Sequence, residues 1–267
     1  MTELTSPGLP GEAWPPPAPG PAPRPKVIAA QAGLELRTLV RNGEQLLLTL
    51  IIPVLLLVAF TLEPLVKVGQ GLRVNFLVPG IMALAVISTA FTSQAIATGF
   101  ERRYGVLKRL GATPLPRSGL IAAKTLTVLS VEAGQIAVIA VVGLALGWQP
   151  HGGPAGAAAA VLLVLAGTAA FSGLGLLLAG TLRAEATLAV ANLIYLVLLG
   201  IGGVIFPLAR FPAGVRAVLT LLPSGALSDG LRSVLSGISG SPVRDLAVLV
   251  IWAAAAIALA ARTFRWE

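Results

Sequence analysis

The chain's 267 residues are 56% hydrophobic and only 11% charged, whereas an ordinary soluble domain carries about 25% charge. This composition excludes a water-soluble globule and predicts a polytopic membrane protein. The net charge of +8 comes from cations grouped at the ends of apolar stretches, the pattern of membrane topology and not of a nucleic-acid surface. The absence of cysteine excludes disulfides, thiolate metal sites and cysteine nucleophiles.

Residues 1–26 hold nine prolines and start without a basic, apolar signal sequence, so they read as a disordered, uncleaved tail. From Val27 to Glu44, apolar residues mix with Glu35, Arg37 and Arg41, which suits a helix lying in the membrane interface. A helix needs about 20 apolar residues to cross the bilayer core. Six stretches approach or exceed this: Leu46 to Leu62, Phe76 to Ala97, Leu120 to Trp148, Ala155 to Leu182, Ala186 to Phe206, and about Val243 to Ala261. Between the last two, residues 211–240 form two short amphipathic pieces broken at Pro223-Ser224-Gly225. Too short to cross, they read as half-helices dipping into the outer leaflet. The expected fold is an all-α membrane protein with six transmembrane helices and an N-terminal interfacial helix.

Lys and Arg placement sets the orientation. Arg24, Lys26, Arg37, Arg41, Arg102, Arg103, Lys108, Arg109, Arg117, Lys124, Arg183, Arg262 and Arg265 fall on one side of a six-span chain. Lys67, Arg73, Arg210, Arg216, Arg232 and Arg244 fall on the other. The first set is the larger, so both termini are expected in the cytoplasm.

The segment Phe100 to Arg117 is the most charged part of the apolar region, with five of the nineteen Lys and Arg residues in eighteen positions. As one helix, it places Phe100, Tyr104, Val106, Leu107 and Leu110 on an apolar arc and Glu101, Arg102, Gly105, Lys108 and Arg109 on a polar one. Arg103 breaks the apolar arc and calls for an acidic partner, with Glu35 and Glu44 the candidates. Gly111 ends the helix, and Pro114 and Pro116 prevent its continuation. Such a segment in a generic membrane protein is a positive-inside loop resting on anionic lipid.

The residue order is more specific. Glu101, Arg102, Gly105, Leu107, Leu110, Thr113, Pro114 and Arg117 stand as E-R-x-x-G-x-L-x-x-L-x-x-T-P-x-x-R, followed by Lys124 in A-K. This resembles the cytoplasmic loop of ABC-2 type permeases, the membrane subunits of ATP-driven exporters that include antibiotic-efflux systems. Gly202 to Pro207 with Phe211-Pro212 is similar to that family's exit from span five. Leu222-Pro223 with Asp229-Gly230-Leu231-Arg232 is similar to its outer half-helix region. The resemblance makes residues 27–267 an ABC-2 type transmembrane domain and leaves the tail outside it.

The resemblance implies a coupling helix that docks into an ABC ATPase subunit through Glu101, Arg102, Arg103, Gly105, Leu107, Lys108, Arg109 and Leu110, beside the interfacial helix. It also implies a second permease chain, a plasma (inner) membrane location, and outward movement of an amphipathic drug, lipid or lipid-linked glycan. No G-x-x-x-x-G-K-[ST] loop occurs, so this chain is expected to bind no cofactor, with ATP and Mg used by the partner ATPase.

Enzymatic signatures are not expected to operate. Gly237-Ile238-Ser239-Gly240-Ser241 departs from the nucleophile elbow at its last position. His151 is the single histidine, placed in a short outer turn, so one chain cannot build a multi-histidine metal site. Within the spans, Glu132 and Gln135 lie one turn apart in the third. A carboxylate at that depth marks either a functional position or an interhelical hydrogen bond. Lys124 is expected to snorkel to the cytoplasmic end. Ser88, Thr89, Thr92, Ser93 and Gln94 either pack against neighbouring helices or line a path. The glycines of spans four and five pack within the subunit or across a dimer. The alternative readings are a proton-driven secondary transporter using Glu132 and a non-transporting membrane scaffold.

Overall fold

A computed structural model describes residues 22–41, 43–62, 73–111, 117–238 and 240–263. All regular structure among them is helical. The Pro-rich tail through residue 21, Lys67, the Thr113, Pro114 and Pro116 positions, Ser239 and Arg265 lie outside the described residues, as do the side chains of Glu44 and Arg117.

Helix α1 (Arg24–Arg41) packs along α6 and buries none of its residues fully. It leads to α2 (Gly43–Leu62), an apolar helix with Pro53 inside. The next span is continuous from Arg73 to Arg103. It comprises α3 (Arg73–Val86), a π-helical stretch over Ile87–Ser93 and α4 (Gln94–Arg103). This is the central element, because α3 is buried at every position from Val74 to Val86 except Asn75. A short α5 (Val106–Gly111) follows, then the long α6 (Arg117–Ala145), α7 (Gly153–Thr181) and α8 (Ala184–Ile201). A 3₁₀ turn (Leu208–Arg210), α9 (Ala213–Leu219), α10 (Pro223–Leu235) and α11 (Pro242–Thr263) complete the chain.

Five of these helical stretches are long and apolar enough to cross a membrane: Arg73–Arg103, Gly119–Ala145, Gly153–Thr181, Ala184–Ile201 and Pro242–Thr263. In α2 the described apolar part is the shorter Thr49–Leu62.

Several expected boundaries move, two of them with consequences for the site. The second span extends into the charged segment, since Phe100 to Arg103 continue its helix. The fifth ends at Ile201 and not at Phe206, because Gly202 caps it through a bond from its N–H to the Leu198 carbonyl and Gly203 turns the chain at φ +74°. The irregular stretch that follows is enclosed by protein, as backbone at membrane depth requires.

Arg232 of α10 supplies much of that enclosure. Its side chain is 2% exposed. Nη2 donates to the Val204 carbonyl at 2.6 Å and Nε to the Phe76 carbonyl at 3.2 Å. Nη1 lies 3.4 Å from Asp229 Oδ1, and the guanidinium sits 3.7 Å from the Phe76 ring centroid. One side chain thus joins α10, the start of α3 and the loop after α8, while Ser228 donates to the Gly202 carbonyl at 3.3 Å.

The expected two short helices are present as α9 and α10, but the break falls at residues 220–222, and Pro223-Ser224-Gly225 form the first turn of α10, where a proline lacks no needed N–H. α10 buries ten of its thirteen residues, against α3, α7 and α11. Glycine assignments also resolve. A Cβ on Gly173 would come within 2.9 Å of Ala256 in α11, one on Gly175 within 2.9 Å of the Phe91 carbonyl, and one on Gly167 within 3.0 Å of Leu227. These are close approaches within the subunit, whereas Gly200 meets nothing within 4 Å.

Arg232→Met leaves two buried carbonyls and Asp229 without their cation. It is expected to destabilise the chain by about 3–5 kcal/mol, read as a lowered unfolding midpoint in detergent micelles. Exposed Arg216→Ala should stay within about 0.5 kcal/mol of the parent. Equal midpoints for all three proteins would remove Arg232 as the staple.

Candidate coupling site and inner cavity

The charged segment is not one helix. Tyr104 leaves helical geometry at φ −86°, ψ 7°, and Gly105 takes φ +68°. The Gly105 N–H bonds back to the Arg102 carbonyl at 3.1 Å, closing α4. Only glycine adopts such a conformation without a Cβ penalty, so the residue assigned to the polar arc is a helix terminator. α5 then restarts the helix at Val106, and the stop expected after Gly111 falls on residues outside the described ones.

Three of the expected docking residues are engaged inside the subunit. Glu101 Oε2 pairs with Lys124 Nζ at 2.6 Å. Arg102 donates through Nη1 to the Gly180 carbonyl at 2.8 Å and through Nη2 to the Leu182 carbonyl. It thereby closes the C-terminal end of α7, where helix carbonyls lack partners and the dipole favours a cation. Arg103 pairs with Glu185 in the first turn of α8 and lies 5.9 Å from the Tyr104 ring centroid. The expectation that Glu35 would receive Arg103 is therefore corrected, Glu35 facing Lys124 instead, while the other candidate, Glu44, lies outside the described side chains. Arg103 stands at the end of α4 beside α8, and an acid at a helix N-terminus is already favoured there.

The remaining residues divide by exposure. Leu107 is buried at 1% exposure and seats α5, while Leu110 lines a cavity. Tyr104 is 64% exposed, and Lys108 and Arg109 are exposed. The outward face of the segment thus includes Tyr104, Lys108 and Arg109, beside the exposed Arg103–Glu185 pair and the edge of Val106.

Lys124 does not snorkel into solvent. It is 7% exposed and lies between Glu101 and Glu35, with Glu35 Oε1 at 3.6 Å. Glu35 also accepts from Gln31 Nε2 at 3.0 Å. Thr127 reaches the Ala32 carbonyl at 3.3 Å, so α1 is tied to α6 at two levels. The sequence offered Lys124 and Glu35 separately, and nothing in their spacing of 89 positions paired them.

Beneath this triad is a cavity of about 390 Å³ between α1, α2, the π-helical stretch, α4, α5 and α6. Thr89, Ser93 and Gln94 line it. Thr89 and Gln94 also make the expected contacts with neighbouring helices. Thr89 Oγ1 donates to Gln135 Oε1 at 2.8 Å, and Ser172 Oγ donates to Gln94 Oε1 at 2.8 Å. Gln135 Nε2 donates to the Thr49 carbonyl at 2.8 Å, tying α6 to α2.

Glu132 is 1% exposed and outside the cavity lining. Its Oε2 lies 2.5 Å from Thr168 Oγ1 of α7, and Oε1 is buried without a hydrogen-bond partner. This is the geometry of an interhelical contact between α6 and α7. His151 is exposed, with Nδ1 2.8 Å from the Gln149 carbonyl oxygen.

No curated protein matches the chain. The family described as ABC-2 type transporter matches residues 32–236. That match runs from α1 through the end of α10 and takes in the charged segment, the cavity and the Arg232 staple. The chain is therefore a multi-pass membrane protein belonging to the ABC-2 type transporter family, a transport permease that is not itself catalytic.

Proposed function

We propose that this permease is the membrane subunit of an ATP-driven exporter, with a separate ABC ATPase bearing on the face formed by Tyr104, Lys108 and Arg109. ABC-2 permeases typically work with such an ATPase. The observation that carries the reading is the division of the charged segment. Glu101, Arg102 and Arg103 grip α6, α7 and α8, while the next turn presents two cations outward.

A load applied at α5 reaches three spans through three charged contacts. Gly105 is the joint between the loaded and the gripped parts, set by its positive φ. A loop that merely rests on anionic lipid has no use for these anchors.

In this reading six spans cross the plasma (inner) membrane, α2 being the first, and both termini are cytoplasmic. Two copies, or this chain and a sister chain, flank the path. The chain binds no cofactor, and ATP and Mg act in the partner. The cargo is amphipathic, a drug, lipid or lipid-linked glycan, and moves outward.

The test is purification of the full chain from its own membranes under gentle extraction, with ATP hydrolysis measured in the eluate. Lys108→Glu with Arg109→Glu is expected to reduce co-recovered ATPase activity by at least about tenfold, equivalent to about 1.4 kcal/mol of association. The unfolding midpoint should not change. Undiminished ATPase recovery, or none from the parent, would overturn the reading.

Gly105→Val forces a β-branched residue into left-handed geometry, at a cost of about 1–2 kcal/mol. It should lower transport while ATPase still co-purifies. Normal transport by this variant would remove Gly105 as the joint.

A further inference from the structure

The cavity beneath Lys124 has an unusual charge for its surroundings. The chain as a whole is +8, and its neighbouring cations are directed elsewhere: Arg102 to the end of α7, Arg103 to Glu185, and Lys108 and Arg109 to solvent. Among the described lining residues the only formal charges are Glu35, Glu101 and Lys124, which sum to −1. The Lys124 ammonium is held between both carboxylates, at 2.6 Å and 3.6 Å, so its charge is already satisfied. Two carboxylates share one cation.

The remainder of the wall is mostly apolar. Leu34, Leu39, Leu110, Val128 and Val131 contribute to it. A volume of about 390 Å³ is within the range of small-molecule sites. Two further lining residues, Gln94 and Thr98, are 6% and 1% exposed, and each leaves a buried polar atom, Nε2 and Oγ1 respectively, without a hydrogen-bond partner.

We infer that this cavity, within a single subunit, is a binding site for a lipophilic monocation, its charge set by Glu35 and Glu101 and its apolar body by the α1 and α6 side chains. The cation supplies the charge that Lys124 alone does not. An anionic amphiphile meets two carboxylates and no free cation among the described lining residues. The site lies between α1 and the body of the subunit, so a ligand there also bridges the N-terminal helix to the charged segment. This goes beyond the transport reading, since it assigns a site and a ligand class to the chain alone.

The probes are tetraphenylphosphonium and tetraphenylborate, alike in shape and opposite in charge, applied to the purified full chain in detergent and followed by equilibrium dialysis. The phosphonium should bind saturably, and the borate should neither bind at the site nor displace it. Glu35→Gln, which preserves side-chain shape, is expected to weaken phosphonium binding about tenfold, as loss of one partly buried carboxylate implies. Val131→Trp should fill the cavity and abolish binding, and Val138→Trp, which faces a separate groove against α2, should leave it intact.

Equal binding of the two probes, non-saturable uptake, or an affinity unchanged by both Glu35→Gln and Val131→Trp would each overturn the inference. Should Val131→Trp fail to fold, the Glu35→Gln comparison and the borate control still decide it. No ATPase enters the measurement, so its failure leaves the coupling proposal standing.

Discussion

Lys124 is held at 7% exposure where α1, α4 and α6 meet, and a buried cation costs several kcal/mol unless it is paired. Glu101 and Glu35 supply the pairing from two different helices. Meeting that requirement fixes where the second span may end, because Glu101 must reach α6 before the chain turns at Gly105. It also fixes where α1 lies, because Glu35 must approach from the other side. The cavity lies against the same contact, bounded by the three helices that meet at Lys124 together with α2, the π-helical stretch and α5.

The opposite end of the subunit answers a comparable requirement with Arg232. There the difficulty is an irregular stretch after α8 whose carbonyls lie in a protein interior, and one guanidinium serves the Val204 and Phe76 carbonyls together. The rigid fork of arginine suits two carbonyls in different directions, whereas a lysine point charge suits two carboxylates. Both devices join elements distant in sequence. Each allows a charged feature inside a largely apolar bundle.

Apolar length made the helical class and most of the spans readable from sequence, since a run such as 120–148 has no other stable use in a membrane. The interruption just before Pro223 was legible for a local reason, the backbone limits of the residue that precedes a proline. Partner choice was not legible. Arg103 was expected at Glu35 because both flank the same side of the membrane, yet Glu185, 82 positions away, sits at the start of the adjacent helix. Gly105 was misplaced because helical periodicity assigns every residue a direction, including one that ends the helix. A glycine two positions after a pair of arginines is also a C-terminal cap signal, and that signal was available. The role of Gln135 as a link between the π-helical stretch and α2 depended on three segments meeting, which no single periodicity encodes.

The central claim is that the charged segment is divided, with Glu101, Arg102 and Arg103 paired within the subunit and a contact face turned outward. The chain contains no cysteine, so single cysteines at 104, 107, 108 and 109 report without background. The measurement is their reaction rate with a membrane-impermeant thiol reagent in inside-out vesicles, with and without the co-purifying ATPase. Positions 104, 108 and 109 should react readily and become protected by the ATPase, while 107 stays silent in both conditions. Equal reactivity at all four positions, or exposed positions indifferent to the ATPase, would contradict the account.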